Sequence, residues 1–310
     1  MTTYTSNTET HQSKQDTARR QDKQSTTHKK TKVGQLLNKQ LKRAKVLKGM
    51  TETMVGGYRA ITKVDSWGAV PKRDELPRYN QIFCRNMAAA FNVTVVAVEP
   101  VPDTHGLWAA NHVSWMDIPV MGSVMPGFFL SKAEVEAMPV FGRLARACGS
   151  LFIKRGSGDS GKVAGQITDF LNKGYSILFY PEGTTTDGTH IKKIYGKLLQ
   201  GAMDADKPIQ PIVVCYVNAK GELDHTVPFV GDVSFAQSFL RVMDSDPVTA
   251  YVLPLAVIPT TGKTRDELTE ELYQSMQTGL EKLQNRVIKK NSEHTASNSD
   301  NAALETKSIA

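Results

Sequence analysis

The chain has 310 residues, of which 40% are hydrophobic and 22% charged, and its formal net charge is +7. This length allows one large domain with a substantial core, and the positive charge favours an anionic partner. The three cysteines, none of them in a CxxC pair, exclude a disulfide framework and a cysteine-based zinc cluster.

Neither a membrane-spanning helix nor a secretory signal is expected. The longest apolar runs, such as PIVVCYV, are far shorter than the roughly 20 residues that cross a bilayer. The N-terminal stretch is polar and lacks the apolar segment of a signal peptide. We therefore expect a protein of the cytoplasm, or one that lies on a membrane surface.

The first 82 residues predict two different segments. Residues 1–31 are rich in Thr, Ser, Gln and Lys, a composition typical of a disordered basic tail. Residues 32–82 predict an amphipathic helical extension, because apolar residues recur there at three- and four-residue steps. Those residues are Val33, Leu37, Leu41, Ala44, Leu47, Met54, Tyr58 and Ile61.

The same region is strongly basic, with eight lysine and arginine residues and no acid between positions 29 and 48. A basic amphipathic helix suits the surface of an anionic membrane. The alternative is a helix that packs on its own domain and keeps a solvated basic face. Nucleic acid would suit the charge, but no aromatic platform or reading motif accompanies it, so no nucleic-acid partner is predicted.

Residues 83–288 alternate between apolar strand-like runs and helical stretches. This alternation predicts an α/β fold, a single domain with a central mixed sheet flanked by helices. The predicted strands are VTVVAV, LWAA, GFFL, SLFI, SILFY, IQPIVVCYV and TAYVLPLAVI. The predicted helices lie at about 115–125, 134–147, 159–173, 195–205, 233–243 and 264–286. Residues 289–310 predict a second disordered tail.

The stretch NHVSWMD, residues 111–117, follows the predicted strand LWAA and contains a histidine and an aspartate. On one continuous helix these two side chains would point about 140° apart. They can meet if His112 lies in a loop and Asp117 in the first turns of a helix that Ser114 caps. The pair then either staples the loop or makes His112 a general base with an orienting carboxylate.

Two further stretches accompany predicted strands, where α/β sheets place ligands. GSLFIKRGSG ends a strand with Lys154 and Arg155, which form either an anion-binding site or an ordinary basic strand end. FYPEGTTTDG places Glu182 and Gly183 after a strand. The acid there orients a hydroxyl, bonds backbone amides or pairs with Arg155, unless the segment is a plain turn.

Taken together, the three stretches resemble the motifs of the glycerolipid acyltransferases, the family that includes the lysophosphatidate acyltransferases. That family carries Asn-His-x4-Asp, then Gly-x-x-Phe-x-x-Arg, then Pro-Glu-Gly-Thr. The matching residues are Asn111, His112 and Asp117, then Gly149, Phe152 and Arg155, then Pro181, Glu182, Gly183 and Thr184. Order and spacing agree over about residues 85–260, where a weaker fourth element is the apolar strand at Pro211.

The resemblance implies transfer of a fatty acyl group from acyl-CoA or acyl-carrier protein to the free hydroxyl of a lysoglycerolipid. Lysophosphatidate is the first expected acceptor. His112 would be the base and Asp117 its orienting group, and neither a metal nor another cofactor is implied. The substrate-binding residues implied are Asn111, Gly149, Phe152, Arg155, Glu182, Gly183 and Thr184.

The sequence departs from the family pattern at position 185. Lysophosphatidate enzymes carry arginine after Glu-Gly-Thr, whereas this chain has Thr185. Either Lys192, Lys193 or Lys197 supplies the missing charge, or the head group is not a phosphate monoester. The TTTDG form resembles the branch that acylates lyso-ornithine lipid, which is the alternative acceptor.

A second departure is the basic amphipathic segment, because many bacterial members begin with a hydrophobic membrane helix. We therefore expect a peripheral enzyme on the cytoplasmic face of an anionic membrane. Two alternatives belong to other classes of protein. One is a non-catalytic lipid-binding protein that keeps the fold, and the other is a metal-dependent hydrolase, which would need more converging ligands.

Overall fold

The computed structural model describes residues 34–57, 59, 75–138, 141–154 and 158–305. The chain divides into two compact units that meet in sequence at Lys45 and Val46. The predicted tail at residues 1–31 lies outside the described residues, as does most of the predicted extension beyond residue 57. No helix in the described part of the chain combines the length and the apolar character needed to cross a bilayer.

Seven strands in the described residues form one mixed sheet, as predicted. They are β1 (Val93–Ala97), β2 (Leu107–Ala110), β3 (Phe128–Lys132), β4 (Leu151–Ile153), β5 (Ile177–Phe179), β6 (Ile209–Val217) and β7 (Val248–Pro254). Their order across the sheet is β1-β7-β6-β2-β5-β3-β4. Only β6 and β7 pair antiparallel, and the other neighbours are parallel.

The central strands explain why the apolar runs were readable as strands. All nine residues of β6 are buried, as are all four of β2. Strands covered on both faces carry continuous apolar sequence rather than alternation. Parallel strands place their carboxyl ends at one edge, so the loops after β2 and β5 lie side by side there.

The described residues also form α-helices. They are α1 (34–57), α2 (Leu76–Ala90), α3 (Asp117–Val124), α4 (Ala133–Glu136), α5 (Phe141–Ala147), α6 (Ser160–Asn172), α7 (Gln200–Asp204), α8 (Phe235–Asp244) and α9 (Arg265–Glu305). A short 3₁₀ helix, Gly196–Leu199, precedes α7. The core against α6 and α9 and the core against α2, α3 and α8 are separate hydrophobic clusters.

Helix α2 was not predicted, and it crosses the boundary that the sequence analysis drew between residues 82 and 83. Its buried positions are Asn80, Cys84, Met87 and Ala88, which follow helical spacing. The polar Asn80 and the small Ala88 weaken this pattern as a sequence signal. Asn80 donates through its side-chain amide to the carbonyls of Gly127 and Cys148.

Helix α1 confirms the predicted N-terminal helix, but its buried face follows the predicted apolar stripe only in part. In the second unit, Val46 and Thr53 are buried, and Met50 and Met54 pack against the core. Leu47, on the predicted stripe, is 50% exposed. Residues 46–57 therefore match the alternative reading, a helix packed on its own domain.

Helix α9 begins where predicted but continues to Glu305, although residues 289–310 were expected to form a disordered tail. Six buried side chains at three- and four-residue steps fix its first part. They are Leu268, Leu272, Met276, Leu280, Leu283 and Val287. The sequence after Gly279 contains neither glycine nor proline, so nothing in it interrupts the helix.

Candidate active site

The predicted junction of strand, loop and helix brings His112 and Asp117 together. Strand β2 ends at Ala110, residues 111–116 form a loop, and α3 begins at Asp117. The Nδ1 atom of His112 lies 2.8 Å from Oδ2 of Asp117. This loop, residues 111–116, is called the His112 loop below.

The prediction that Ser114 caps α3 was wrong. The cap position is Met116, which makes no side-chain cap bond, and the Ser114 hydroxyl is buried without a partner among the described residues. Asp117 organises the loop instead. Its Oδ2 accepts the backbone N–H of Val113 at 2.7 Å and that of Ser114 at 2.9 Å.

The environment of Asp117 fixes the proton on the imidazole. The Asp117 side chain is fully buried, and its Oδ1 accepts the hydroxyl of Tyr216 at 2.7 Å. Hydrogen bonds to a carboxylate stabilise its negative charge. A charged acceptor at Nδ1 requires that Nδ1 carry the hydrogen, which leaves the lone pair of the neutral ring on Nε2.

The Nε2 atom of His112 has no hydrogen-bond partner among the described residues, and the side chain is 13% exposed. The ring also stacks on Tyr180, with centroids 4.2 Å apart and planes inclined by 18°. Stacking on one face and the bond to Asp117 leave the ring little freedom to turn. His112 can therefore accept a proton at Nε2 from a group that approaches the ring from solvent.

Glu182 belongs to the turn after β5, residues 180–186, called the Glu182 turn below. The Glu182 side chain is buried, with the residue 1% exposed. Its two carboxylate oxygens accept the backbone N–H groups of His112 and Lys192, both at 2.8 Å. The backbone N–H of Thr186 donates to the carbonyl of His112 at 2.8 Å. The turn therefore holds the backbone of His112 from both sides.

Burial raises the pKa of Glu182 to about 7, although the amides of Lys192 and His112 favour the charged form. The carboxyl group therefore changes its charge near neutral pH. It bonds backbone groups, as one of the readings of the sequence expected.

Comparison with known proteins identifies the family. The acyltransferase family model matches residues 92–215. A lyso-ornithine lipid O-acyltransferase of Pseudomonas aeruginosa is 36% identical over 210 residues, which cover 68% of this chain and 80% of that protein. The chain belongs to the acyltransferase family.

Other relatives of this acyltransferase carry a different substrate in their names. A 1-acyl-sn-glycerol-3-phosphate acyltransferase of Neisseria meningitidis is 29% identical over 171 residues, covering 54% of this chain and 67% of that protein. The crystal structure of the 1-acyl-sn-glycerophosphate acyltransferase PlsC from Thermotoga maritima matches with a TM-score of 0.61 and 18% identity. It covers 80% of this chain and 97% of that chain. At this identity the match shows a shared fold.

Asn111 of the acyltransferase, expected to bind substrate, is fully buried. Its side-chain amide donates to the carbonyl of Val214 at 3.1 Å and accepts the N–H of the same residue at 2.7 Å. These bonds join the His112 loop to β6. In this structure the Asn111 side chain bonds the backbone of a neighbouring element, as the Glu182 side chain does.

The second motif lies at the edge of the sheet. Strand β4 is separated from β2 by β5 and β3, which corresponds to about 14 Å. Phe152 is half-buried in β4, and Gly149 precedes that strand with φ of 76°. A Cβ at Gly149 would lie 2.6 Å from the Phe128 ring, so the glycine has a packing role. Arg155 lies outside the described residues.

The third motif carries the departure at position 185. Gly183 has φ of 67°, which suits glycine in this tight turn, and Thr184 is exposed. The Thr185 hydroxyl donates to the carbonyl of Phe229, so it faces the protein. The ammonium group of Lys192 lies 3.5 Å from the Thr185 carbonyl. Of the three lysines suggested from sequence, Lys192 therefore has its charge beside position 185.

Sequence reasoning missed two tyrosines of this site, Tyr180 and Tyr216. A signal existed for Tyr216, because a hydroxyl inside the apolar run PIVVCYV needs a buried partner. Tyr180 directly precedes the Pro-Glu-Gly motif and gave no such signal. Among the described residues, no group of three His, Cys, Asp or Glu side chains could hold a metal ion.

Proposed function

We propose that this acyltransferase moves an acyl group from a thioester donor to the free hydroxyl of a lysolipid, with His112 as the general base. The observation that carries the proposal is the 2.8 Å contact between His112 Nδ1 and the buried Asp117, with Nε2 left open. This arrangement matches a base whose ring a carboxylate orients.

In the proposed reaction, Nε2 of His112 takes the proton of the acceptor hydroxyl as its oxygen attacks the thioester carbonyl. The C–O ester bond forms and the C–S bond breaks. The imidazolium returns its proton to the departing thiolate, so the products are the ester and the free thiol. Asp117 stabilises the transient positive charge on the ring. The donor is acyl-CoA or acyl-carrier protein.

For the acceptor we favour lyso-ornithine lipid over lysophosphatidate. The relative named for lyso-ornithine lipid is 36% identical over four fifths of its own length. Thr185 stands where the resemblance expects arginine, and its hydroxyl faces the protein. Lysophosphatidate remains the second candidate, because the nearby Lys192 ammonium supplies one positive charge and the Neisseria relative carries that substrate in its name.

The proposed site of action is a membrane surface, most simply its cytoplasmic face. In the first unit, Leu36, Leu37 and Leu41 are each more than half exposed. At 100° per residue they fall within an arc of about 140°, while Lys39, Lys42 and Lys45 lie outside that arc. An apolar arc flanked by lysines suits the interface of an anionic bilayer.

The deciding experiment incubates purified full-length protein with acyl-CoA or acyl-carrier protein and a panel of lysolipids. The panel includes lyso-ornithine lipid and lysophosphatidate, and mass spectrometry identifies the products. We expect faster acylation of lyso-ornithine lipid and no product from the matched variant His112→Ala. Product from lysophosphatidate alone would establish the second candidate. Lysolipid binding without any product would establish the non-catalytic lipid-binding protein.

A further inference from the structure

Tyr216 reaches the candidate active site from the centre of the sheet. It lies on β6, is 2% exposed, and donates its hydroxyl to Oδ1 of Asp117 at 2.7 Å. Burial, and next the charge of Asp117, raise the pKa of Tyr216 well above its usual value, so the hydroxyl stays protonated and donates. The contact joins residues 99 positions apart in the chain.

The two oxygens of Asp117 therefore have separate partners. Oδ2 accepts from the His112 loop, through the ring Nδ1 and the backbone N–H groups of Val113 and Ser114. Oδ1 accepts from Tyr216. A carboxylate held at one oxygen can rotate about its terminal torsion, whereas one held at both keeps its plane fixed. Tyr216 supplies the second point of attachment.

Strand β6 places this hydroxyl accurately. The side chain of Asn111 bonds both the N–H and the carbonyl of Val214, two residues before Tyr216. The register between the His112 loop and β6 is thus fixed beside the contact. Tyr180 provides a contrast, because it touches His112 through its ring while its own hydroxyl is buried without a partner among the described residues.

We propose that Tyr216 is a positioning residue for the acyl transfer: its hydroxyl holds the Asp117 carboxylate so that Nδ1 of His112 keeps its hydrogen and Nε2 acts as the base. This inference rests on the proposed role of His112. It adds a third member to the His–Asp pair, and that member comes from a strand outside the three sequence motifs.

Tyr216→Phe removes the hydroxyl and keeps the ring volume. Asp117 Oδ1 then loses its donor, and the carboxylate attracts the imidazolium proton more strongly. We expect kcat to fall about 10–100-fold, the range for a hydrogen bond to a charged group. The acid limb of the kcat–pH profile should move to higher pH. The KM values of donor and acceptor should change little, since Tyr216 is buried and its hydroxyl bonds Asp117.

The control is Tyr273→Phe, the same chemical change on α9 in the other core. A proton NMR spectrum supplies an independent readout, because the Nδ1 hydrogen of a histidine bonded to a carboxylate resonates at low field. That resonance should shift in Tyr216→Phe and stay in place in the control. Reduced activity with an unmoved acid limb and an unmoved resonance would overturn the inference and leave Tyr216 a purely structural role.

A second variant covers the case in which Tyr216→Phe does not fold. Incorporation of 3-fluorotyrosine in place of Tyr216 keeps the hydroxyl and makes it a stronger donor, so the acid limb should move to lower pH. An acid limb at the wild-type position would contradict the inference. The proposed function fails by a different result, full activity in a folded His112→Ala variant.

Discussion

Asp117 shows at the residue scale how one side chain builds a reactive pair. Its position at the start of α3 lets a single carboxylate close the His112 loop, orient the ring and accept the Tyr216 hydroxyl. Because the group is fully buried, each of these bonds acts in a medium of low polarity, where it is strongest.

Removing either partner of the pair should abolish most of the activity without unfolding the protein. We expect His112→Ala to lower kcat about 10²–10⁴-fold, the usual contribution of a general base. Asp117→Asn should be similarly severe, because a neutral amide lacks the negative charge that stabilises the imidazolium. Acyl-transfer assays on variants with wild-type circular dichroism provide the measurement. Near-wild-type turnover of folded His112→Ala would remove this histidine from the mechanism.

Glu182 yields a prediction about pH and stability. Its pKa is about 7 in the folded protein and about 4.5 when unfolded. Below pH 4.5 both states are protonated. As pH rises toward 7, the carboxyl group ionises first in the unfolded state. The free energy of unfolding of the protein therefore falls, by about 3 kcal/mol in total. Above pH 7 the loss is complete and the difference levels off.

The measurement is denaturant unfolding of wild type and Glu182→Gln at several pH values. The side chain of the variant does not titrate, so the difference in free energy of unfolding isolates the effect of Glu182. That difference should move in favour of the variant between pH 4.5 and 7. A difference that stays constant over this range would mean that the two backbone amides outweigh burial and keep the carboxylate charged.

At the scale of elements, the carboxyl edge of the sheet explains why the first and third motifs meet. Strands β2 and β5 are parallel neighbours, with Ala109 opposite Phe179, so the His112 loop and the Glu182 turn must touch. Strand β4 lies at the end of the sheet, next to β3 and two strands from β5, and its carboxyl end points to the same edge. Gly149 determines how the chain enters that strand.

Gly149→Ala should destabilise the fold rather than weaken substrate binding directly. The added Cβ meets the buried Phe128 ring at 2.6 Å, and φ of 76° disfavours any side chain. The matched control is Gly158→Ala, at φ of 82° with open space around the Cβ. We expect the control to cost about 1 kcal/mol and Gly149→Ala about 1–3 kcal/mol more, measured by thermal or denaturant unfolding.

Equal costs for the two alanine variants would mean that the Phe128 ring moves aside without penalty. A raised acceptor KM in a Gly149→Ala protein of unchanged stability would return this glycine to substrate binding, as the resemblance implied.

At the scale of the whole molecule, charge and exposed apolar surface suggest how the enzyme meets its lipid substrate. The chain carries 38 lysine and arginine residues against 31 acidic ones. Each basic residue near an anionic surface contributes up to about 1 kcal/mol, and salt weakens this attraction. A single short apolar arc without tryptophan is expected to hold weakly on its own.

We therefore predict that the full chain binds anionic vesicles at low salt and is released at high salt. Replacing Lys39, Lys42 and Lys45 by glutamine should weaken binding strongly. The matched control replaces three exposed lysines elsewhere, Lys162, Lys173 and Lys220. Vesicle co-sedimentation at two salt concentrations measures both. Equal binding of the two variants would place the membrane contact outside the N-terminal helix.

The sequence by itself determined the mixed α/β sheet and the meeting of His112 with Asp117. All seven strands were readable because buried strands carry continuous apolar runs, and the His–Asp contact spans five residues, so local geometry decides it. Family motifs in the right order supplied the chemistry. Signals of this kind depend on residues that are close together in the sequence, so they can be recognised without knowledge of the fold.

Only the tertiary structure decided what surrounds that pair. The contacts of Asn111 with Val214, of His112 with Glu182 and of Asp117 with Tyr216 join residues 103, 70 and 99 positions apart. Such contacts depend on strand order and register, which no local pattern encodes. They bond Asn111 and Glu182, both expected to bind substrate, to backbone groups of the fold, and they place Tyr216 beside Asp117. They also buried Val46 rather than Leu47 on α1, because packing against the core selects the helix face.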